Sequence, residues 1–137
     1  MTTFFISGHL DLTQEEFDLH YMPRIKSALE AGADFVVGDA RGADYMAQVY
    51  LATYPASTTV YHMLVSPRNN VGFPAIGGFK TDEERDRMMT QDSDRDIAWI
   101  RPGRSKSGTA KNLQRRMQEL CSKNSRIYSA LLRKWKK

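Results

Sequence analysis

A glycine-containing loop in the first third of the chain holds side chains suited to binding a phosphorylated sugar. Arg41 can clamp a phosphate through two parallel hydrogen bonds. Asp39 and Asp44 can accept hydrogen bonds from ribose hydroxyls or act as catalytic carboxylates. Gly38 and Gly42 allow a sharp turn before a helix whose first amides are free to bind an anion. A structural alternative for Asp44 is the N-cap of that helix.

A basic loop in the last third of the chain is the second candidate phosphate site. Arg104 and Lys106 supply positive charge, and Ser107, Gly108 and Thr109 supply hydroxyl and amide donors. The loop lies between a predicted strand and a predicted helix, which favours a phosphate cradle. The alternative is a basic surface turn with Thr109 as the helix N-cap.

The loop after the first predicted strand contains Ser7, Gly8 and His9. A hydroxyl, an imidazole and a main chain open to close approach suit a ligand contact, although a plain turn is the alternative. The acidic run of residues 83–96 is interpreted as a solvated helix face, so no metal site and no cofactor are predicted. The single cysteine, Cys121, excludes an internal disulfide and a multi-cysteine metal site.

Apolar, aromatic and β-branched segments predict strands at residues 3–7, 35–37, 58–62 and 96–100. The segments between and after them predict helices. The first helical region begins near Thr13, is interrupted at Pro23 and stops at Gly32. The other helices cover about residues 44–54, 81–91 and 109–120.

Two further segments are assigned less directly. Residues 66–80 contain two prolines and three glycines and are predicted to form a long loop. Residues 125–135 suit a helix or a last strand.

Alternating strands and helices predict an α/β fold: a single domain over residues 1–137, built as a three-layer Rossmann-like parallel sheet of four or five strands. In such sheets ligands bind at the carboxyl ends of the strands, where the loops at residues 7–11, 38–44, 62–80 and 101–109 would meet.

Charge is distributed unevenly along the chain. Residues 1–100 carry a net charge of −7, and residues 101–137 carry +11. The basic C-terminal segment, about residues 122–137, suits either a solvated helix or contact with nucleic acid. No apolar run is long enough to span a bilayer, and the first residues lack the pattern of a secretory signal, so a cytoplasmic protein without membrane association is expected.

Three motifs together resemble the SLOG superfamily and are similar to its YspA-type branch. They are Ser7-Gly8-His9, the Gly-Asp-Ala-Arg-Gly-Ala-Asp loop ending at Asp44, and Ser107-Gly108-Thr109. This Rossmann-like group includes the Lonely Guy phosphoribohydrolases and the DNA-processing protein A fold. The resemblance spans about residues 3–120 and implies a nucleotide, nucleotide-sugar or phosphoribosyl ligand. It also implies homo-oligomers that pair through helices.

One departure from the family pattern concerns catalysis. Lonely Guy enzymes carry a catalytic glutamate where this chain has Asn112, and the double glycine of their motif is absent. Because an amide cannot replace a carboxylate base, the expected function is binding of a nucleotide-like small molecule. One alternative is an N-glycosidic hydrolase or deoxyribosyltransferase that uses Asp39 or Asp44. The other is a single-stranded nucleic-acid-binding module that uses the basic C-terminal segment.

Overall fold

The computed structural model describes residues 2–135, with side chains as far as residue 123. Its elements in chain order are β1 (Thr3–Ile6), α1 (Gln14–His20), α2 (Met22–Glu30), β2 (Asp34–Gly38), α3 (Ala43–Leu51), β3 (Thr58–Met63), β4 (Ala75–Phe79), α4 (Asp82–Gln91), β5 (Arg95–Ile97) and α5 (Gly108–Trp135).

The strands form one parallel sheet in the order β4-β3-β2-β1-β5. From β1 the chain moves outward through β2, β3 and β4, and it then returns to place β5 on the other side of β1. The strand order therefore reverses beside β1, between β1 and β5. Ligand crevices of open α/β sheets lie at such reversals, outside the carboxyl ends of the strands. The predicted three-layer Rossmann-like α/β fold is confirmed.

Helices cover both faces of the sheet. The larger core cluster packs α1, α2 and α3 against one face through Phe17, Ile25 and Leu51. The smaller cluster lies on the opposite face, where Met89 of α4 packs against Phe5 and other aromatic and aliphatic side chains. Burial of these apolar side chains, at roughly 25 cal/mol per Å², is the main force that fixes the strand ends in space.

The break at Pro23 divides the first helical region into α1 and α2, as predicted. Thr13 and Glu16 form the predicted capping box, with 3.1 Å between the Glu16 nitrogen and Thr13 Oγ1 and 3.0 Å between the Thr13 nitrogen and Glu16 Oε1. Proline is accepted near the start of α2 because its missing N–H would have no partner there.

The prediction of an uninterrupted loop at residues 66–80 is wrong, because β4 lies within it. The strand has the sequence Ala-Ile-Gly-Gly-Phe and is exposed over its first four residues. Its two glycines weaken the sequence signal for a strand. The predicted fourth strand, which is β5 here, ends at Ile97 rather than at residue 100.

The chain from Gly108 to Trp135 is a single helix, which settles the choice between helix and strand for residues 125–135. The side chains of the basic C-terminal segment beyond residue 123 lie outside the described residues. Within the described part of the chain, no helix combines the length and the apolar character needed to cross a membrane.

Candidate functional site

A cavity of about 340 Å³ lies at the carboxyl edge of the sheet, beside the reversal of strand order. One side is formed by the end of β1 and the loop that follows it, and by the loop between β2 and α3 together with the first turn of α3. The other side is formed by Arg68, by α4, and by the loop and first turn at the start of α5. All four loops that the sequence predicted to meet at one edge therefore contribute to this cavity, the 62–80 loop through Arg68.

Ser7 forms part of the wall at the end of β1. It is 6% exposed, and its hydroxyl oxygen has no hydrogen-bond partner among the described residues. A buried hydroxyl without a partner costs free energy, on the order of 1–3 kcal/mol. Because Ser7 lines the cavity, a bound molecule could supply the missing hydrogen bond.

Gly8 is required at the next position because two elements approach its backbone closely. A Cβ atom there would lie 2.3 Å from the Tyr21 hydroxyl oxygen and 2.5 Å from the Ala43 Cβ. The Tyr21 hydroxyl donates a hydrogen bond to the Ser7 carbonyl at 2.8 Å and accepts one from the Trp99 N–H at 3.0 Å. Tyr21 thereby joins the chain after β1 to the chain after β5. No local sequence signal points to this role.

His9 lines the cavity as a neutral imidazole. Its Nε2 accepts a hydrogen bond from the Arg101 N–H at 2.8 Å, so this nitrogen carries no proton. Burial, together with the charges of Arg101 and Arg104, lowers the pKa of His9 below its usual value. The His9 side chain thereby connects the loop after β1 to the loop after β5. The His9 carbonyl accepts the Ala43 N–H at 3.1 Å.

Asp39 is fully buried and is not among the residues that line the cavity. Arg68 donates three hydrogen bonds to its carboxylate, from the backbone N–H and the guanidinium, and Arg85 donates a fourth at 2.8 Å. Burial alone would raise the pKa of Asp39, but these bonds outweigh it and lower the pKa to about 2. Asp39 is therefore an ionised structural group that holds Arg68 and Arg85 in place.

Arg68 and Arg85 are two lining residues that were absent from the sequence prediction. Arg85 is 5% exposed and also pairs with Asp82 at 3.1 Å and Asp86 at 2.9 Å. Arg68 pairs with Asp82 at 2.8 Å. Arg85 lies on a helix whose sequence suggests a solvated charged face, so only the packing of α4 against the sheet reveals its position.

Asp44 is buried and lines the cavity from the first turn of α3. The alternative role as N-cap is wrong, because the cap residue is Gly42 and Asp44 is the second residue of the helix. One carboxylate oxygen accepts the Ala40 N–H at 3.2 Å. Burial raises the pKa of Asp44 to about 7, against the opposing effect of Arg85. A carboxyl group of this kind changes its charge near neutral pH.

Gly38 and Gly42, in the chain between β2 and α3, are each required for a different steric reason. Gly38 leaves room for the carboxyl group of Asp44, since a Cβ at Gly38 would lie 2.5 Å from Asp44 Oδ2. Gly42 has a φ of +73°, and a Cβ there would lie 2.4 Å from the His9 carbonyl oxygen. Both the left-handed backbone and the close approach to the first loop require glycine.

The start of α5 forms the opposite wall. The Ser107 hydroxyl accepts the Ala110 N–H at 3.2 Å, so Ser107 is the cap and the alternative that assigned this role to Thr109 is wrong. Helix α5 begins at Gly108, and none of the described residues accepts the N–H of Gly108 or Thr109. Asn112, one turn further along, is buried against the cavity and accepts a hydrogen bond from Arg115.

The predicted basic side chains differ in their position. Arg104 lines the cavity, with its guanidinium 2.8 Å from Asp11 Oδ2. Arg41 and Lys106 are exposed and are not among the lining residues. The structure therefore brings Ser7, Gly8, His9, Asp44, Arg104 and residues 107–109 together. It leaves five other predicted residues outside the cavity wall: Gly38, Asp39, Arg41, Gly42 and Lys106.

No protein-family model, curated protein or solved structure matches this chain.

Proposed function

We propose that the cavity at the carboxyl edge of the sheet binds a small phosphorylated ligand of the nucleotide or nucleotide-sugar type. The observation that carries this proposal is a pair of amides, Gly108 and Thr109, at the start of a long helix beside the cavity, for which no described residue supplies an acceptor. Helix N-termini bind phosphate through such amides and through the helix dipole. The Ser7 hydroxyl lies in the wall of the same cavity and has no hydrogen-bond partner among the described residues, so it is free to bond a polar ligand there.

The size and charge of the cavity set limits on that ligand. A volume of about 340 Å³ is at the lower end of the range for ligand pockets, which favours one mononucleotide-sized molecule over a dinucleotide. The three lining arginines are paired with carboxylates, Arg68 and Arg85 with Asp39 and Arg104 with Asp11. The helix amides are thus the principal anion donors that remain unpaired.

Replacement of Gly108 by proline tests the role of the amides directly. Proline is accepted at the first position of a helix and removes only the N–H. We expect Gly108→Pro to weaken binding of nucleoside monophosphates by about 10- to 100-fold, as expected for loss of a hydrogen bond to a charged group. Isothermal titration calorimetry with a panel of such nucleotides measures the effect.

The matched control is Gly108→Ala, which keeps the N–H. No atom lies within 4 Å of the Cβ that it adds, so it should bind as the native protein does. Equal affinities of the proline and alanine variants, or no binding of any nucleotide by the native protein, would contradict the proposal.

A second candidate function is cleavage or transfer at an N-glycosidic bond, which the position of Asp44 favours. Asp44 presents a buried carboxyl group to the cavity, whereas Asp39 is enclosed by two arginines. Release of free base from the same nucleotide panel, abolished by Asp44→Asn, would support this activity. The absence of released base across the panel would exclude it for those substrates.

The family resemblance and the assembly into homo-oligomers remain predictions from the sequence. Binding of single-stranded nucleic acid by the basic C-terminal segment also remains a prediction, because most of the side chains it needs lie outside the described residues.

A further inference from the structure

Asp44 stands among several charged groups but is paired with none of them among the described residues. Arg85, the nearest cation to it across Gly38, is held by three other carboxylates, those of Asp39, Asp82 and Asp86. A buried carboxyl group without a counter-ion favours its neutral form, because desolvation penalises the charge.

The groups around Asp44 come from every element packed against it. They are Asp39 after β2, Arg85 and Asp86 on α4, Tyr21 between α1 and α2, and, on the cavity wall, His9, Arg68, Asp82 and Arg104. The arginines are neutralised by their acidic partners, and His9 is neutral. Asp39 and Asp86 add negative charge near Asp44, which further opposes its ionisation.

The hydrogen bonding of Asp44 leaves one of its two oxygens available to the cavity. Oδ2 accepts the Ala40 N–H at 3.2 Å, and Oδ1 has no partner among the described residues. A protonated Oδ1 would be a donor, as the unpartnered Ser7 hydroxyl is. The wall formed by Ser7 and Asp44 would then present two uncharged donors, and the start of α5 would present the anion-binding amides.

We propose that Asp44 holds its proton and donates it in a hydrogen bond to an uncharged acceptor of the ligand, such as a sugar hydroxyl or ring oxygen, so that ionisation of Asp44 expels the ligand. This inference rests on the proposed function, since it places the uncharged part of a phosphorylated ligand beside Asp44 while the phosphate lies at the helix amides. The wall at Ser7 and Asp44 therefore selects against a second anionic group on the ligand.

Calorimetric binding of ribose 5-phosphate at pH 5.5 and pH 8.5 tests the inference in the native protein and in Asp44→Asn. Asparagine accepts the Ala40 N–H and keeps an uncharged donor, so it imitates protonated aspartate. With a midpoint near pH 7, the competent fraction falls by about 30-fold at pH 8.5. The native protein should lose affinity by that factor relative to Asp44→Asn, a comparison that cancels the titration of the sugar phosphate itself.

Two controls separate this effect from others in the same cavity. Asp18→Asn removes an exposed carboxylate of α1 that does not line the cavity, and it should retain the native pH dependence. Inorganic phosphate occupies only the amide end, so the native protein and Asp44→Asn should bind it equally at both pH values. The ¹³C shift of the Asp44 carboxyl carbon in the free protein gives its protonation midpoint directly.

The possible outcomes distinguish the inference about Asp44 from the proposed function. Equal loss of affinity in the native protein and in Asp44→Asn, or a carboxyl midpoint below pH 5.5, would overturn the inference and leave the proposed function standing. Failure of both proteins to bind ribose 5-phosphate at either pH would overturn the inference. Failure of the native protein to bind any nucleoside monophosphate as well would overturn the proposed function with it.

Discussion

Asp39 and Asp44 carry the same chemical group five residues apart, yet the fold gives them opposite properties. Four hydrogen bonds from two arginines keep Asp39 ionised, with its pKa lowered to about 2. Asp44 has one backbone donor and no counter-ion among the described residues, and burial raises its pKa to about 7. The number of buried donors around a carboxylate decides between a structural and a chemical role.

This difference predicts how stability depends on pH. The pKa of Asp44 is higher in the folded protein than in the unfolded chain, so the unfolded chain releases the proton first as pH rises. Between about pH 4 and pH 7, Asp44 therefore lowers the free energy of unfolding, by up to about 4 kcal/mol in total. Asp39 acts in the opposite direction, and its contribution is lost only as the pH falls from about 4 to 2.

Urea denaturation of the native protein and of Asp44→Asn between pH 4 and pH 8 measures the effect. The stability advantage of Asp44→Asn should grow from pH 4 to pH 7 and remain constant above it. The lowered pKa of His9 gives a contribution of opposite sign in part of this range, but it is common to both proteins and cancels in the difference. A difference that does not change with pH would contradict the burial of an unpaired carboxyl group.

At the scale of elements, the site depends on contacts that hold the ends of β1 and β5 beside each other. Tyr21 makes the main one, because its hydroxyl bonds both the Ser7 carbonyl and the Trp99 N–H. His9 and Arg101 make a second contact between the same two loops at 2.8 Å. These bonds hold the chain after β1 beside the chain after β5, next to the cavity that Ser7 and His9 line.

Replacement of Tyr21 by phenylalanine should therefore destabilise the protein by about 1–3 kcal/mol, since it leaves two backbone groups without partners. Thermal unfolding monitored by circular dichroism measures this loss. Tyr50→Phe is the matched control, because the Tyr50 hydroxyl only accepts a bond from Tyr54 at 3.3 Å near the surface. Equal losses of stability in the two variants would show that the Tyr21 hydrogen bonds stabilise the protein no more than the surface bond of Tyr50 does.

The elements that sequence patterns predicted are those with strong local signals. The capping box at Thr13 and the strand–turn–helix pattern around Gly42 depend on residues close in sequence, and both predictions hold. The strand β4 is missed because its two glycines resemble a loop and only pairing with β3 makes it a strand. Local propensity carries no information about such a partner.

The site itself was only partly predictable for a related reason. Parallel topology alone placed four loops at one edge, and Ser7, His9, Asp44 and Ser107 from these loops do line one cavity. Which charged side chains face that cavity depends on ion pairs between residues far apart in sequence. Arg85 bonds Asp39 across 46 positions, and no spacing rule indicates this pairing.

At the scale of the whole molecule, the uneven charge acquires a structural explanation. The acidic first hundred residues supply carboxylates that pair with the arginines around the cavity, as in the contacts of Arg101 and Arg104 with Asp11. Two arginines of the basic loop, Arg101 and Arg104, are thus paired with a carboxylate from the acidic part of the chain. Positive charge along the chain is consequently a poor guide to where the proposed phosphate would bind, and the proposal rests on the amides of Gly108 and Thr109 instead.

A crystal structure of the protein soaked with a mixture of nucleoside monophosphates tests this account most directly. We expect electron density in the cavity, with a phosphate group within hydrogen-bond distance of the amides of Gly108 and Thr109. An uncharged part of the ligand should lie beside Ser7 and Asp44. An empty cavity at saturating nucleotide, or a phosphate bound at a different surface of the protein, would contradict it.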